Sequence, residues 1–375
     1  MDEIYVNRSA MKAITRAASR SFSPRRAVTW GSFGAAWVGL RAVLQAGRAV
    51  DEVLFPEWRD QAVREPVFLF ANGRSGTTML HRLMSLDEKN FAGFKLYQSI
   101  FSAVAYQRFF QAWDKSAFGP VGRAGVNLIN KAFFDGWQGI HELGIDKEEE
   151  DEALFAYALN SSAVSLLNPY MEDYEDIGWL DGQPADDRRR FMDFYEATLK
   201  KHLFSAGPEK RFLNKNVFFA PRIKTMRERF PDARFIYLVR HPYEALPSWL
   251  NMFYEKWISH SPELEHDSPQ AKTLAQMSYA FYRYVLEVRA QIPAEQLRFV
   301  RYADLVRDPK RVVEEVYAWL GLELTPAYRT VLEAATSRQR RYKSKHSYSL
   351  EQFGLTKDDV YEELKDVFEA FGFER

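Results

Sequence analysis

The chain has 375 residues, 46% apolar and 15% aromatic with 29 Phe, enough for one large domain or two small ones with an ample core. Its 51 basic and 51 acidic residues cancel, which argues against an extended nucleic-acid surface. It has no cysteine, which excludes disulfides, cysteine–zinc sites and thiol nucleophiles together. No apolar run reaches the roughly 18 residues of a membrane span, and no secretory pattern is evident. A soluble, cytoplasmic protein is therefore expected.

Residues 1–29 are basic, with Arg8, Lys12, Arg16, Arg20, Arg25 and Arg26 against Asp2 and Glu3. A presequence or a membrane-surface arm has this look, but the commoner explanation is a solvated helical extension. From Phe33 to Leu54 the spacing is amphipathic. Phe33, Trp37, Leu40 and Leu44 share one face, and Arg41, Gln45, Arg48 and Glu52 run down the other. Such a helix packs on the domain or on a partner subunit, and peripheral membrane contact is a further reading. We place a domain boundary after it, with residues 1–59 as arm and helix and 60–375 as the main domain.

Pro66 then opens Val67-Phe68-Leu69-Phe70, a short buried strand, and Met79 to Met84 return to helical spacing. Between them lies Asn72-Gly73-Arg74-Ser75-Gly76-Thr77-Thr78. A strand-to-helix turn exposes unpaired N–H groups and the positive end of the helix dipole, so it suits an anion. The nucleotide loop G-x-x-x-x-G-K-[S/T] is nearly matched. However, Ala71 replaces its first glycine and Thr77 its lysine, while the basic residue is Arg74 inside the loop. The machinery for a triphosphate with magnesium is thus missing. A tight turn that binds nothing is the plainer alternative.

The aromatic stretch from Phe91 to Trp137 reads as helices and loops that could line a ligand pocket, although core packing accounts for most of it. His141 and Gly144 precede the acidic run Glu148 to Glu152, which we expect to head a helix reaching Leu159, its carboxylates favoured by the dipole. Residues 170–187 are acidic and loop-like, and Arg188 to Phe204 is helical. Strands follow at Arg211–Lys215, Arg234–Val239 and Gln296–Arg301. Helices lie at about Pro221–Phe230, Glu244–Tyr254, Leu274–Ala290 and from Asp308-Pro309 to Gly321. Alternation of this kind predicts an α/β fold with a central, mainly parallel sheet, helices on both faces and helical insertions. Arg240 stands at the carboxyl end of its strand, where such sheets place ligands, and Ser248 follows eight residues later. Together they could hold a phosphate, and a strand-end salt bridge is the plainer reading.

The loop at 73–78, followed by Arg240-His241-Pro242 with Ser248, resembles the two phosphate sites of the sulfotransferases, enzymes with a P-loop-like three-layer fold. Leu213-Asn214-Lys215 resembles their strand-end lysine, and Arg301-Tyr302-Ala303-Asp304-Leu305 with Asp308-Pro309 their late strand and helix. The cluster Arg338, Arg340, Arg341, Lys343 and Lys345 resembles the basic segment that closes over the nucleotide in bacterial members. The resemblance covers roughly residues 50–375 and implies a co-substrate, 3'-phosphoadenosine 5'-phosphosulfate (PAPS), with adenosine 3',5'-bisphosphate (PAP) as product and no metal. Gly73, Arg74, Ser75, Gly76, Thr77 and Thr78 would bind the phosphosulfate end. Arg240 and Ser248 would bind the 3'-phosphate, and Arg341 and Lys345 would cover the nucleotide.

In-line transfer of a sulfuryl group to an oxygen or nitrogen relies on positioning and charge. Arg74 and Lys215 would stabilise the leaving group, and replacing either should cut turnover by orders of magnitude with the fold intact. Some relatives have a glutamate about twenty residues beyond the loop arginine, but Phe94-Lys95-Leu96-Tyr97-Gln98 offers no carboxylate there. His141 is the preferred base, Glu149 or Glu150 the alternative, and His81 reads as packing. The acceptor could be a small molecule, a lipid or a carbohydrate, and a homodimer through the N-terminal helix is one option. A small-molecule kinase and a non-catalytic nucleotide-binding protein are the competing readings.

Overall fold

The computed structural model describes residues 3–115, 119, 124, 144–171, 177–339 and 348–375. His141, Arg341 and Lys345 lie outside the described residues. Five strands, β1 (Val67–Phe70), β2 (Phe91–Ala92), β3 (Arg211–Asn216), β4 (Arg234–Val239) and β5 (Leu297–Arg301), form one sheet in the order β2-β3-β1-β4-β5. Every pairing in it is parallel. β1 is central and buried throughout, as an unbroken apolar run requires of a strand covered on both faces. Val67 is in register with Leu213 on one side and Arg234 on the other, so Phe70 lies between Asn216 and Tyr237. The carboxyl ends of β1, β3 and β4 therefore reach the same edge of the sheet.

Helices α1 (Arg8–Arg20) and α2 (Pro24–Leu54) precede the sheet. After β1 come α3 (Thr77–Ser85), then α4 (Leu96–Ile100), α5 (Val104–Lys115), α6 (Glu152–Ala158) and α7 (Ala185–Ala206). Helix α8 (Ile223–Arg229) joins β3 to β4, while α9 (Pro242–His260) and α10 (Pro269–Arg289) join β4 to β5. The chain continues through α11 (Tyr302–Arg307), α12 (Pro309–Leu320), α13 (Pro326–Gln339) and α14 (Lys357–Phe371). Strand side chains alternate between two layers. Phe68, Phe70, Phe235 and Tyr237 pack with residues of α7, α9 and α10 such as Tyr195, Leu246 and Tyr279. Val67, Leu69, Ile236 and Leu238 pack with α3, α12 and α13 through Leu80, Val316 and Leu332. The three-layer α/β arrangement is the one the alternating strands and helices predict.

Two expectations for the N-terminus are corrected. The basic arm is not a solvated extension. Ile4, Tyr5, Ala10, Ile14 and Ala17 are buried in the same cluster as Phe68 and Tyr237, because α1 has its own apolar stripe. Asn7 caps α1 and donates to Asn160 Oδ1 at 2.8 Å. The face of α2 that carries its charges also points inward, not outward. Arg48 is fully buried and donates to Thr198 Oγ1 at 2.9 Å. Asp51 is fully buried, bonding Lys201 Nζ at 2.8 Å and capping the start of α5 through the N–H groups of Val104 and Ala105. Arg41 donates to the carbonyls of Ile4 and Tyr157. Each buried charge finds a partner, which is the condition under which burial of charge is tolerated.

Candidate active site

β1 ends at Phe70, and Ala71 to Gly76 turn the chain into α3. Arg74 (φ +68°) and Gly76 (φ +90°) are both left-handed; the arginine holds that conformation at a cost of about 1 kcal/mol. Gly76 caps α3 without a side chain, and the N–H groups of Met79 and Leu80 return to its carbonyl at 3.0 and 3.2 Å. The N–H groups just before them have no intrahelical acceptor, which is the arrangement that binds an anion. The two glycines are needed for steric reasons as well. A Cβ on residue 73 would stand 2.0 Å from the Trp249 ring, and one on residue 76 would stand 2.7 Å from the Tyr302 ring. Ser75 and Thr77 are buried, and Thr78 is half-buried.

The second half of the site converges on this loop. Arg74 Nε donates to Ser248 Oγ on α9 at 3.1 Å, and Arg240 Nη1 donates to the Arg74 carbonyl at 2.7 Å. The Arg240 guanidinium lies 4.4 Å from the centre of the Tyr302 ring and its Nε donates to Glu244 at 3.0 Å. Tyr282 holds the Arg240 carbonyl at 3.0 Å. His241 caps α9 by accepting from the Tyr243 N–H at 3.3 Å, which leaves Nε2–H to donate to the Glu374 carbonyl at 3.0 Å. Thus Arg74, Arg240 and Ser248, far apart in sequence, adjoin.

At the end of β3, Lys215 is fully buried, with Nζ 3.2 Å from Glu150 Oε1 and 3.4 Å from Glu149 Oε2. Burial pulls its pKa down, but the two carboxylates outweigh burial and hold it above the ordinary lysine value. His81 is buried nearby, its pKa pushed down to about 3 by burial and then by the Lys215 charge. It is a neutral packed imidazole, as the sequence suggests, and not a base for the reaction.

The acidic run heads a helix, as expected, but its carboxylates are engaged elsewhere as well. Helix α6 does begin at Glu152, but Asp151 at its cap makes no side-chain cap bond. The carboxylates turn to β3 and the residues after it. Asp151 accepts from Tyr195 and, at 2.7 Å, from Asn216. Glu152 takes both terminal nitrogens of fully buried Arg222, at 2.8 and 2.9 Å. A helix terminus is worth about 0.3–1 kcal/mol to a carboxylate, whereas an unpaired buried cation costs several, so the ion pairs win. Burial raises the Asp151 pKa to about 6 against the hydrogen bonds from Tyr195 and Asn216.

Sequence reasoning missed Trp249 and Tyr282 and gave Tyr302 no role. The first stands one residue after Ser248, and a large aromatic beside a loop glycine is a signal only once the two segments are known to meet. Among the described residues no group of three or more His, Asp or Glu side chains is placed to hold a metal ion.

Comparison with known proteins identifies the family. The chain is 24% identical over 347 residues to omega-hydroxy-beta-dihydromenaquinone-9 sulfotransferase Stf3 of Mycobacterium bovis, covering 90% of this chain and 81% of that protein. The Mycobacterium tuberculosis form gives the same figures. Among solved structures, sulfotransferase STF1 of Mycobacterium tuberculosis superposes with a TM-score of 0.77 at 21% identity, covering 96% of this chain and 92% of that one. STF9 of Mycobacterium avium gives 0.75 at 18%, covering 99% and 93%. These two likenesses are of fold. The profile described as "Sulfotransferase family" matches residues 66–326. That match begins at the proline before β1 and runs past β5, taking in every strand, and the chain therefore belongs to the sulfotransferase family of PAPS-dependent transferases.

Proposed function

We propose that Gly73 to Thr78 hold the phosphosulfate end of PAPS, that Arg240 and Ser248 hold its 3'-phosphate, and that the sulfuryl group passes to a hydroxyl of a lipid-like acceptor. The observation that carries this reading is the Arg74–Ser248 hydrogen bond, with Arg240 on the Arg74 carbonyl. The 3'- and 5'-phosphates of PAP flank one ribose, so the groups that grip them must adjoin, as these do.

Arg74 and Lys215 supply the positive charge that the leaving bisphosphate needs, and arginine acts as donor and charge because it keeps its proton. Proton removal from the acceptor falls to Glu150, beside Lys215, or to His141. Arg341 and Lys345 cover the nucleotide. The lipid-like acceptor rests on the substrate named for the curated relatives, a hydroxylated dihydromenaquinone.

Calorimetry with PAP against ATP and magnesium tests the nucleotide. We expect tight binding of PAP alone, and preference for ATP would refute the assignment. Transfer of ³⁵S from PAPS to hydroxylated isoprenoid lipids, phenols and sugars tests the acceptor, with sugars or phenols preferred if the lipid reading is wrong. Glu150→Gln and His141→Ala, compared in the same assay, decide the base.

A further inference from the structure

Arg240 is held at several points. Its carbonyl accepts from Tyr282, its guanidinium lies over the Tyr302 ring, and its Nη1 reaches the Arg74 carbonyl. The next residue, His241, is tied at both ring nitrogens. Nδ1 accepts from the Tyr243 N–H at 3.3 Å and Nε2–H donates to the Glu374 carbonyl at 3.0 Å, which fixes the tautomer with its proton on Nε2. The ring also packs against Tyr243 and Phe373, each with centroids 4.8 Å away, and edge-on against Phe368 at 5.2 Å. A cap for α9 does not require this much. Ser, Asp or Asn caps a helix as well or better with a single acceptor. What the imidazole adds is a second nitrogen, and that nitrogen reaches Glu374.

The residues at the end of α14 hold the neighbouring strand too. Arg301, the last residue of β5, donates through Nη2 to the Phe371 carbonyl. Tyr302 follows it directly, and its ring covers Arg240 and stands close against Gly76. Gly372 makes the double attachment possible. At φ +60° it reverses the chain, so that the Phe373 N–H returns to the Phe368 carbonyl at 2.9 Å and Glu374 comes to His241. Helix α14 is a firm support, with Val360, Leu364, Val367 and Phe368 buried. It carries residues 371–374 to the ends of β4 and β5, the two corners that flank the Arg240 guanidinium.

We infer that residues 371–374 form a strap that positions Arg240 for the 3'-phosphate, with His241 as the positioning residue through which it acts. The inference rests on the assignment of Arg240 to that phosphate. An arginine fork binds phosphate strongly only when its plane meets the oxygens squarely, so its backbone and the ring beneath it have to be fixed before the ligand arrives. The strap fixes both. His241 pins the backbone one residue after Arg240, and Arg301 pins the backbone one residue before Tyr302.

Asparagine and glutamine separate the two tasks of the imidazole. In His241→Asn the amide oxygen stands in for Nδ1, so the cap is kept and the bond to Glu374 is lost. In His241→Gln the amide nitrogen stands in for Nε2, so the bond is kept and the cap is lost. Calorimetry compares PAP with adenosine 5'-phosphate, which lacks the 3'-phosphate. His241→Asn should weaken PAP by about 3- to 10-fold, the worth of one hydrogen bond, and leave adenosine 5'-phosphate within about twofold. His241→Gln should hold PAP within about twofold of the parent, and Arg301→Met, which cuts the other tie, should show the same selective loss as His241→Asn. Parental PAP binding by His241→Asn overturns the strap, as does an equal loss for both nucleotides or a glutamine variant as weak as the asparagine one. Arg240→Ala tests the assignment beneath it. If that variant keeps the parent's preference for PAP over adenosine 5'-phosphate, the 3'-phosphate assignment falls and the strap with it. If it loses the preference while His241→Asn keeps it, the strap alone falls.

Discussion

Gly73→Ala isolates the geometry of the phosphate loop. The added Cβ would stand 2.0 Å from Trp249 Cε3 and 2.3 Å from Cζ3. Ordinary contact needs about 3.5 Å, so something must move by about 1.5 Å. Trp249 cannot yield cheaply, because it is buried and its ring packs 5.5 Å from Phe218 and 4.6 Å from Phe253. The loop is the softer partner, and a shift of that size breaks the 3.1 Å bond from Arg74 to Ser248. Overpacking costs about 1–3 kcal/mol. At about 2.1 cal/mol/K per residue over 375 residues, that lowers the melting temperature by only about 1–4 °C. Losing one or two charge-assisted contacts should weaken PAP by about 10- to 100-fold, or about 1.4–2.8 kcal/mol. Calorimetry reads the affinity and differential scanning calorimetry the stability. Adding Trp249→Leu should restore at least half of the lost affinity. Unchanged PAP binding by Gly73→Ala, or no rescue in the double variant, would refute the argument that the ring sets the loop.

Arg240→Ala should weaken PAP by about 2–4 kcal/mol with turnover at saturation little changed, read by calorimetry and by KM against kcat. Lys215→Met should abolish measurable turnover. Contrary to the expectation from sequence, it should also destabilise the fold by about 3–5 kcal/mol, because Glu149 and Glu150 lose their buried cation; a melting temperature within 1 °C of the parent would contradict this. The buried imidazoles set a pH dependence. His81 and His202 each have a folded pKa near 3, below the unfolded value of about 6.5, so their contribution is complete above pH 6.5 and is lost as pH falls toward 3. His202→Leu should therefore flatten the urea stability profile between pH 6 and 4 by about 1.4 kcal/mol per pH unit, and parallel profiles would refute a buried neutral His202.

Sequence reasoning recovered the parts of this protein that local chemistry specifies. The β1 run, the glycine turn, the cap at Asp308 and the strand ending at Arg240 each carry their signal within a few residues, and the structure has all of them. It failed where the partner lies far along the chain. The face of Arg41 and Arg48 reads as solvated until Thr198 and the carbonyls of the arm are known to lie beneath it. Likewise, the acidic run heads a helix as its sequence says, but nothing local shows that β3 and the turn after it bring Lys215, Asn216 and Arg222 to its carboxylates. Amphipathic periodicity fixes which residues share a side and leaves open which side is inward.

The placement of β1 between β3 and β4 has a consequence for biosynthesis. The loop at 73–78 emerges from the ribosome early, yet its flanking strands begin at Arg211 and Arg234 and its polar partners are Arg240 and Ser248. Roughly the first 250 residues must be translated before the nucleotide cradle can close. Nascent chains shorter than that expose an apolar strand with unmet edges, the state in which chaperones are needed and aggregation competes.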